Sequence, residues 1–248
     1  MAFSPKTDFV GLTNAITSGL ELRSNSTNDS QTVLQIPGSD GSIIGDEKTG
    51  LIKNPSCEYV FTDICTITEI ILGKVYSTIQ NMGPFALQHI HISTGAGQEP
   101  VLTADAVQIE ANAEQTWCTY DISSSIASSY TPARHAITFG AFTYSQAFTP
   151  GTDCSADTVL ALQTCELDAQ ATIDPSTINN VPKASDATAG IITVTPTFWT
   201  NSDTTPPTVT ITNGWSLTSP WTCTGADSSM FVWTCTLSKY LTATEPTP

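Results

Sequence analysis

The sequence predicts an all-β protein, and its threonine pattern is the first reason. Thr alternates with apolar residues in segments such as 191–195 and 208–212. Such alternation is typical of a half-exposed strand, because β-branched side chains suit a pleated sheet and lose χ1 freedom in a helix. Only 12% of residues are charged, about half the usual fraction. We therefore expect a β-sandwich or barrel with long loops and an N-terminal arm, plus a C-terminal β-hairpin extension or small β domain.

The charge of the chain is strongly one-sided. Eight Lys and Arg residues stand against 23 Asp and Glu residues, which gives a formal net charge of −15. A protein that grips nucleic acid needs cationic groups to displace counterions from phosphates, so this composition argues against nucleic-acid binding. The first ten residues lack the basic and apolar regions of a secretory signal, and no apolar run approaches the roughly 20 residues that span a bilayer. We expect synthesis in a cytoplasm and no membrane contact.

Five segments are predicted along the chain. Residues 1–32 mix small apolar positions with Ser, Asn and Thr, which indicates an N-terminal arm or loop. Residues 33–173 contain most of the alternating pattern and are expected to form the main β-sandwich or barrel. Residues 174–190 are rich in Pro, Asn, Ala, Ser and Asp, which is typical of a linker or crossover. Strands resume over 191–241 as a C-terminal β segment, and 242–248 is expected to be a frayed tail.

Turn signals punctuate the start of the main domain. The run Pro37-Gly38-Ser39-Asp40-Gly41 predicts a turn, because Gly and Asp supply the backbone angles that turns require. An acidic loop over 45–50 is expected to follow. Further along, 158–171 fits either a strand pair or a short helix.

The segment Phe85–Ser93 alternates well enough to predict a strand. Its pattern places Leu87, His89 and His91 on one face. The Gly-rich residues 93–100 are expected to close a hairpin with the next alternating segment, 101–110.

A short repeat near the C-terminus predicts a second hairpin. Trp-Thr-Cys-Thr occurs at 221–224 and again at 233–236, with a turn-like stretch over 225–229 between the copies. Because side chains alternate along a strand, Trp and Cys should share one face and the Thr residues the other.

The seven cysteines are expected to be buried, reduced thiols that act as small hydrophobes. They are Cys57, Cys65, Cys118, Cys154, Cys165, Cys223 and Cys235. The count is odd, and no Cys-x-x-Cys pair suggests a structural zinc site. The alternative is a few bridges formed after lysis or release, with Cys223/Cys235 and Cys154/Cys165 as the nearest pairs.

The most site-like feature is the pair His89 and His91. Residues i and i+2 of a strand point to the same face, so both imidazoles could meet one metal. A third ligand would be needed, and only Glu99 and Asp105 are close in sequence. The alternative, which we prefer, is a partly exposed pair on a barrel wall. We therefore assign no catalytic, cofactor-binding or metal-ligating residue and expect no cofactor.

The sequence lacks the motifs of common enzymes. It has no Gly-x-Ser-x-Gly elbow, no phosphate-binding Gly-Lys-Ser/Thr loop and no His-Glu-x-x-His helix. Carboxylates such as Asp40, Asp46 and Glu47 could in principle serve a glycosidase or hold Ca²⁺, but in a Gly-flanked loop they are expected simply to be solvated. We expect a protein that is not an enzyme.

In style, the chain resembles structural proteins of tailed bacteriophages, and most closely the tail tube, or major tail, protein family. The resemblance rests on the cytoplasmic start, the N-terminal arm, the turn-rich 38–47 region, the hairpin around 93–100 and the Thr-rich C-terminal segment. It implies a β-sandwich or barrel subunit that forms hexameric rings. The rings would stack into a tube with an acidic lumen, and arms and long loops would join them.

The resemblance gives the functional expectation. The chain would be a virion protein, made in the host bacterial cytoplasm, whose homo-oligomeric tube meets other virion proteins and lets DNA pass without specific binding. Residues 1–32 and the 38–50 loop would carry ring-to-ring contacts. Three alternatives stay open: a capsid decoration, head fibre or neck/connector protein of a phage; a surface adhesin or carbohydrate-binding β-sandwich; and an enzyme such as a polysaccharide depolymerase, for which the sequence shows no β-helix repeats. In the second, Trp199, Trp215, Trp221 and Trp233 would stack on sugars.

Overall fold

The structure, a computed structural model, describes residues 20–30, 33–48, 52–61, 70–76, 85–95, 98–109, 118–126, 129–131, 136–144, 161–178, 181–212, 214–227 and 230–245. Nearly all of these residues lie in strands or short connections, so the all-β prediction is confirmed. The strands up to the helix are β1 (Leu20–Ser30), β2 (Val33–Pro37), β3 (Ile43–Lys48), β4 (Ile52–Phe61), β5 (Ile71–Leu72), β6 (Val75–Tyr76), β7 (Phe85–Gly95), β8 (Val101–Gln108) and β9 (Thr119–Asp121).

One helical turn, α1 (Ser123–Ile126), separates these strands from the rest of the described chain. The strands after it are β10 (Ser129–Thr131), β11 (Ala136–Thr138), β12 (Phe142–Tyr144), β13 (Ala161–Ile178), β14 (Val181–Thr200), β15 (Val209–Ile211), β16 (Ser216–Asp227), β17 (Met230–Tyr240) and β18 (Ala243–Thr244). The segment 158–171, which the sequence leaves between strand and helix, is strand from Ala161 onward.

A large antiparallel sheet organises the molecule. Its strand order is β1-β4-β8-β7-β13-β14-β17-β16, and β6 also pairs with β7. The sheet therefore contains strands from both 33–173 and 191–241. The hairpin β13–β14 joins the two segments.

Short strands cover one face of this sheet. They belong to the sheets β18-β9-β5 and β12-β15. Their side chains Leu72, Tyr120 and Phe142 belong to the same buried cluster as Ile90 of β7 and Phe198 of β14. The rings of Phe142 and Phe198 meet edge to face with centroids 6.0 Å apart, a favoured aromatic geometry. The core thus lies between the large sheet and these short strands.

The first hairpin extends well beyond the large sheet. Strand β1 pairs with β4 out to Ser30 and Ile52, and β2–β3 continues the same pairing from Val33 and Lys48. Strand β8 meets β4 only from residue 56 onward, so 33–48 forms a two-stranded ribbon. We call 33–48 the ribbon.

A tight turn closes the ribbon, as the Pro37–Gly41 run predicts. Gly41 has a φ of +81°, a conformation that glycine adopts without steric cost. A Cβ on Gly38 would lie 2.8 Å from the Ile44 side chain, so the close approach requires glycine there too. The Ser42 hydroxyl donates to the Asp40 carboxylate at 2.5 Å, and the Ser42 backbone N–H donates to the same oxygen at 3.0 Å. The hydroxyl bond first, and then the backbone bond, lowers the pKa of Asp40.

The N-terminal arm and the acidic loop need correction. Residues 20–30 form β1, an edge strand of the large sheet that pairs with β4 along its length. Residues 1–19 lie outside the described part of the chain. In the region predicted as the 45–50 loop, 45–48 belongs to β3, so the irregular backbone at the tip is confined to 38–42.

The linker prediction for 174–190 is also wrong in its secondary structure. Residues up to Ile178 belong to β13, and β14 starts at Val181 and pairs back along it. Strand β6 pairs with β7 at Phe85 and Ala86. The part of the β13–β14 hairpin beyond Gln170 therefore cannot pair with β7. A register shift between Gln170 and Thr172 marks the point where β13 departs, as bulges bend strands. Pro175 and Pro182 can occur here because each strand of a two-stranded ribbon has one edge whose backbone groups need no ladder partner.

The C-terminal hairpin confirms the prediction from the Trp-Thr-Cys-Thr repeat. Trp233 and Cys235 are buried, whereas Thr234 and Thr236 lie on the opposite face of β17. The strands reach further than predicted, because 225–227 belong to β16 and Asp227 pairs with Met230; the rest of the predicted turn, 228–229, lies outside the described residues. The Trp233 indole donates to the Ser202 carbonyl at 2.8 Å, which satisfies its buried N–H.

Two smaller predictions also change. Leu87 does not share a face with His89: it is fully buried, and a register shift lies between the two residues. Because such a bulge inserts one extra residue, it reverses the alternation that the sequence shows. In the predicted tail, Ala243 and Thr244 pair with Tyr120 and Thr119, so 243–244 is tied to β9.

Candidate functional site

The only two histidines in the described residues lie side by side on the outward face of the large sheet. His89 and His91 alternate along β7 with Ile90 and Ile92, both of which are fully buried. Their side chains are about a third exposed, at 28% and 34%. The partly exposed pair expected from the sequence is therefore present, and the ring centroids are 6.4 Å apart.

Two aspartates hold His89 from opposite sides. Asp105 is the cross-strand partner on β8, and its Oδ2 lies 2.7 Å from Nδ1 of His89. Asp168 reaches over from β13, and its Oδ2 lies 2.8 Å from Nε2. His91 joins the group through Nδ1, 3.5 Å from the same Asp168 oxygen. We call these four residues the His–Asp cluster.

The cluster favours a charged His89. Hydrogen bonding to Asp105, and then to Asp168, raises the pKa of His89 to about 9, although partial burial opposes the shift. The same hydrogen bonds from His89 lower the pKa of Asp168 and of Asp105, which also accepts a bond from Ser56. At neutral pH the imidazolium thus donates from both nitrogens to two carboxylates, and charge-assisted bonds of this kind are among the stronger ones in proteins.

This arrangement does not suit a metal. Both ring nitrogens of His89 already face carboxylate oxygens at hydrogen-bond distance, so His89 has no lone pair to offer. Among the residues whose positions are described, no group of three or more His, Cys, Asp or Glu side chains could hold a metal ion. Asp105 lies near His89, as one of the sequence alternatives required, but as a hydrogen-bond partner. Glu99, the other, lies in the exposed connection between β7 and β8.

Asp168 is the member that sequence reasoning missed. It lies 79 residues from His89, in the segment that the sequence left between helix and strand. A strand assignment there would have placed Asp168 outward, since Cys165, Leu167 and Ala169 alternate with it as buried residues. No local feature of the sequence indicated that β13 would pair with β7.

The aromatic residues considered as a sugar platform do not form one. Trp215 and Trp221 pack against the hydrophobic core, and the Trp221 ring lies 5.9 Å from that of Phe198. Trp233 is only 7% exposed. Trp199 alone of the four is open to solvent, at 40%.

The cysteines within the described part are all free thiols. Cys57, Cys165 and Cys235 are buried, and burial raises the pKa of each. Cys118 is half-buried and Cys223 is exposed, so the expectation of burial fails for Cys223. The suggested Cys223/Cys235 bridge is not formed. Cys65 and Cys154 lie outside the described residues.

Comparison with known proteins adds no relative: no protein-family model matches the chain, and no curated protein matches it either. In the part of the chain that the structure describes, no helix is both long enough and apolar enough to cross a membrane. The His–Asp cluster therefore stands on its geometry, which is that of a charged cross-link between β8, β7 and β13.

Proposed function

We propose that the chain is a virion structural subunit that assembles with copies of itself, and that its assembly is the tail tube of a tailed bacteriophage. The observation that carries the assembly step is the ribbon. It continues the β1–β4 hairpin past the large sheet and exposes Val33, Ile36, Ile43 and Ile44, with Ile44 at 70%.

A ribbon of this kind calls for a partner. A two-stranded hairpin is marginal in water by itself, and clustered exposed aliphatics mark interaction sites. The partner that the proposal names is a second copy of the chain, because the resemblance to tail tube proteins assigns ring-to-ring contacts to arms and long loops. Of the two segments expected to carry ring-to-ring contacts, 1–32 and the 38–50 loop, the proposal uses the ribbon, which overlaps the second; 20–30 is part of the sheet, and residues 1–19 lie outside the described residues.

The acidity of the chain supports DNA passage rather than DNA binding. A formal charge of −15 repels a polyanion and provides few of the cations that phosphate contacts need. In this proposal the rings, hexameric as in the resembled family, stack into a virion tube that meets other virion proteins. The protein would be made in the host bacterial cytoplasm and would act without catalysis.

The alternatives differ in how well the structure supports them. A capsid decoration, head fibre or neck/connector protein would use the same ribbon on a different partner. The carbohydrate-binding alternative is weakly supported, because three of the four tryptophans that would stack on sugars pack inward. The assembly proposal is therefore preferred.

The test is negative-stain electron microscopy and sedimentation of the full chain at rising concentration. We expect hollow rings or tubes of uniform bore from the wild type. A variant lacking 33–48 should remain folded but not assemble, because five residues would still link Ser30 to Ile52 and leave β1–β4 paired.

The matched control is a point variant. Ile43→Ser with Ile44→Ser should lose assembly, whereas Leu217→Ser should keep it, because Leu217 is an exposed aliphatic at 41% that lies away from the ribbon on β16. A wild type that stays monomeric at every concentration, or ribbon variants that form normal tubes, would refute the proposal.

A further inference from the structure

The described residues expose seven large hydrophobic side chains, and they fall into separate regions. Four belong to the ribbon, and Leu217 lies on the edge strand β16. The remaining two, Trp199 and Tyr240, are 40% and 80% exposed. Both lie on the outward face of β14 and β17, because Tyr240 pairs with Ile191 and Trp199 with Val232.

Hydroxyl groups fill the space between these two aromatic residues. Along β14 the outward positions from 191 to 199 are Ile, Thr, Thr, Thr and Trp, while the positions between them are buried. Thr195 and Thr197 meet Thr236 and Thr234 of β17 with Oγ1–Oγ1 distances of 3.4 and 3.2 Å. We call the outward residues of β14 from 191 to 199, with their pairing partners on β17 and β16, the threonine face.

The threonine face carries no charged residue. Its partners on β17 are Val, Thr, Thr, Ser and Tyr, and those on β16 are Ser and Thr. The next strand of the same outward surface is charged: Glu166 and Asp168 of β13 pair directly with Thr195 and Thr193. Beyond them lie the rest of the His–Asp cluster and the Arg23–Glu58 ion pair. On a chain with 23 acidic residues, an uncharged area three strands wide is a marked separation of charge. Its length from Ile191 to Trp199 is about 26 Å at the usual rise per residue.

We propose that the threonine face binds the ribbon of a second copy of this chain; this rests on the proposed self-assembly and specifies its contact. Each copy is acidic, and the ribbon itself carries Asp40, Asp46 and Glu47 against the single cation Lys48, so a ribbon meets the least like-charge repulsion on a surface without charged groups. The exposed aliphatic side chains of the ribbon pack against Trp199, Tyr240 and the Thr methyl groups in this contact.

The contact joins two different surfaces of the protein, and this predicts the form of the assembly. A ribbon that binds a different surface on its partner makes a heterologous interface, and such interfaces generate rings or open filaments rather than closed dimers. Each copy would thus present one ribbon and one threonine face to its neighbours.

The experiment uses one variant for each surface. Thr236→Glu places a charge at the centre of the threonine face and should raise the concentration needed for assembly by at least about tenfold, which corresponds to about 1.4 kcal/mol. Thr205→Glu makes the same change in an exposed loop and should assemble as the wild type does. Circular dichroism of both variants verifies that they fold.

Mixing two defective variants gives the decisive result. The Ile43→Ser/Ile44→Ser variant retains its threonine face, and Thr236→Glu retains its ribbon. Mixed together, they should form one-to-one dimers by sedimentation and nothing longer, because only one productive contact remains in the pair. At a concentration just sufficient for wild-type assembly, each variant alone should be monomeric.

Each failure has a distinct meaning. If the wild type forms tubes and Thr236→Glu forms them equally well, the inference is overturned and the proposed function stands. If the mixed variants form no dimers, the ribbon does not bind the threonine face. A wild type that never assembles overturns both.

Discussion

His89 and Asp168 connect strands that lie 79 residues apart in the sequence, with Nε2 of the imidazole 2.8 Å from Oδ2 of the carboxylate. On its other side, Nδ1 of His89 lies 2.7 Å from Asp105. One side chain of β7 therefore ties both neighbouring strands, β8 and β13. The tie lies close to the register shift at which β13 leaves the sheet.

Replacing His89 should weaken the fold measurably. His89→Gln removes the imidazolium and leaves two carboxylates close together without a counter-charge, so we expect the free energy of unfolding to fall by about 1–3 kcal/mol, towards the lower end because the aspartates are partly solvated. Urea unfolding at pH 7 measures it. His91→Gln is the matched control and should cost less, since its contact to Asp168 is longer at 3.5 Å. Equal losses in the two variants would contradict the assignment.

The same cluster predicts the pH dependence of stability. The pKa of His89 is raised from 6.5 to about 9, so its contribution is complete below pH 6.5 and disappears as the pH rises through 9. The pKa values of Asp105 and Asp168 are lowered from 3.8, so their contribution is present above pH 3.8 and is lost as the pH falls below it.

Urea midpoints recorded from pH 3 to 10 check this directly. The difference between wild type and His89→Gln should be largest between about pH 4 and 6.5 and should shrink towards pH 9. Other groups that titrate in alkali affect both proteins alike and cancel in this difference. A constant difference across the range would be incompatible with a His89 charge.

Gly190 should not tolerate a larger residue. A Cβ there would lie 2.5 Å from the ring of Tyr120, and Tyr120 is buried at 6% exposure. We expect Gly190→Ala to cost about 1–3 kcal/mol through overpacking. Gly225→Ala is the control, because a Cβ at Gly225 meets nothing within 4 Å. If thermal or urea unfolding shows both variants as stable as the wild type, Tyr120 does not pack on this backbone.

The cysteine thiols should differ in their reactivity towards a maleimide according to their exposure. Under native conditions a water-soluble maleimide should label Cys223, which is exposed, and spare Cys57, Cys165 and Cys235, which are buried with a raised pKa. Peptide mapping by mass spectrometry identifies the labelled positions. In urea all of them should react. Rapid native labelling of Cys165 would show that its strand opens easily.

Much of the fold was readable from local pattern. The Thr alternation over 191–195 predicted strand and the structure places those residues in β14. The Pro37–Gly41 turn and the two faces of the Trp-Thr-Cys-Thr repeat were also correct. These features depend on neighbours within a few residues, so the sequence displays them directly.

The incorrect predictions have a common cause, which is pairing between strands. Residues 174–190 have a linker composition, yet 174–178 and 181–190 form strand because β13 and β14 pair with each other there. Leu87 alternates with the histidines in sequence, but a bulge moves it into the core. Tertiary pairing overrides composition wherever it satisfies the backbone hydrogen bonds of a weak strand.

By itself, then, the sequence determined the all-β class, the acidity of the chain, the turn of the ribbon and the shared face of one strand, β7, on which His89 and His91 lie. Tertiary structure decided which strands became neighbours, and with that the meeting of Asp168 with His89 and the charge-free extent of the threonine face. The physical reason is that alternation along a strand records whether a side chain faces the core, whereas the identity of its cross-strand neighbour depends on contacts between distant segments.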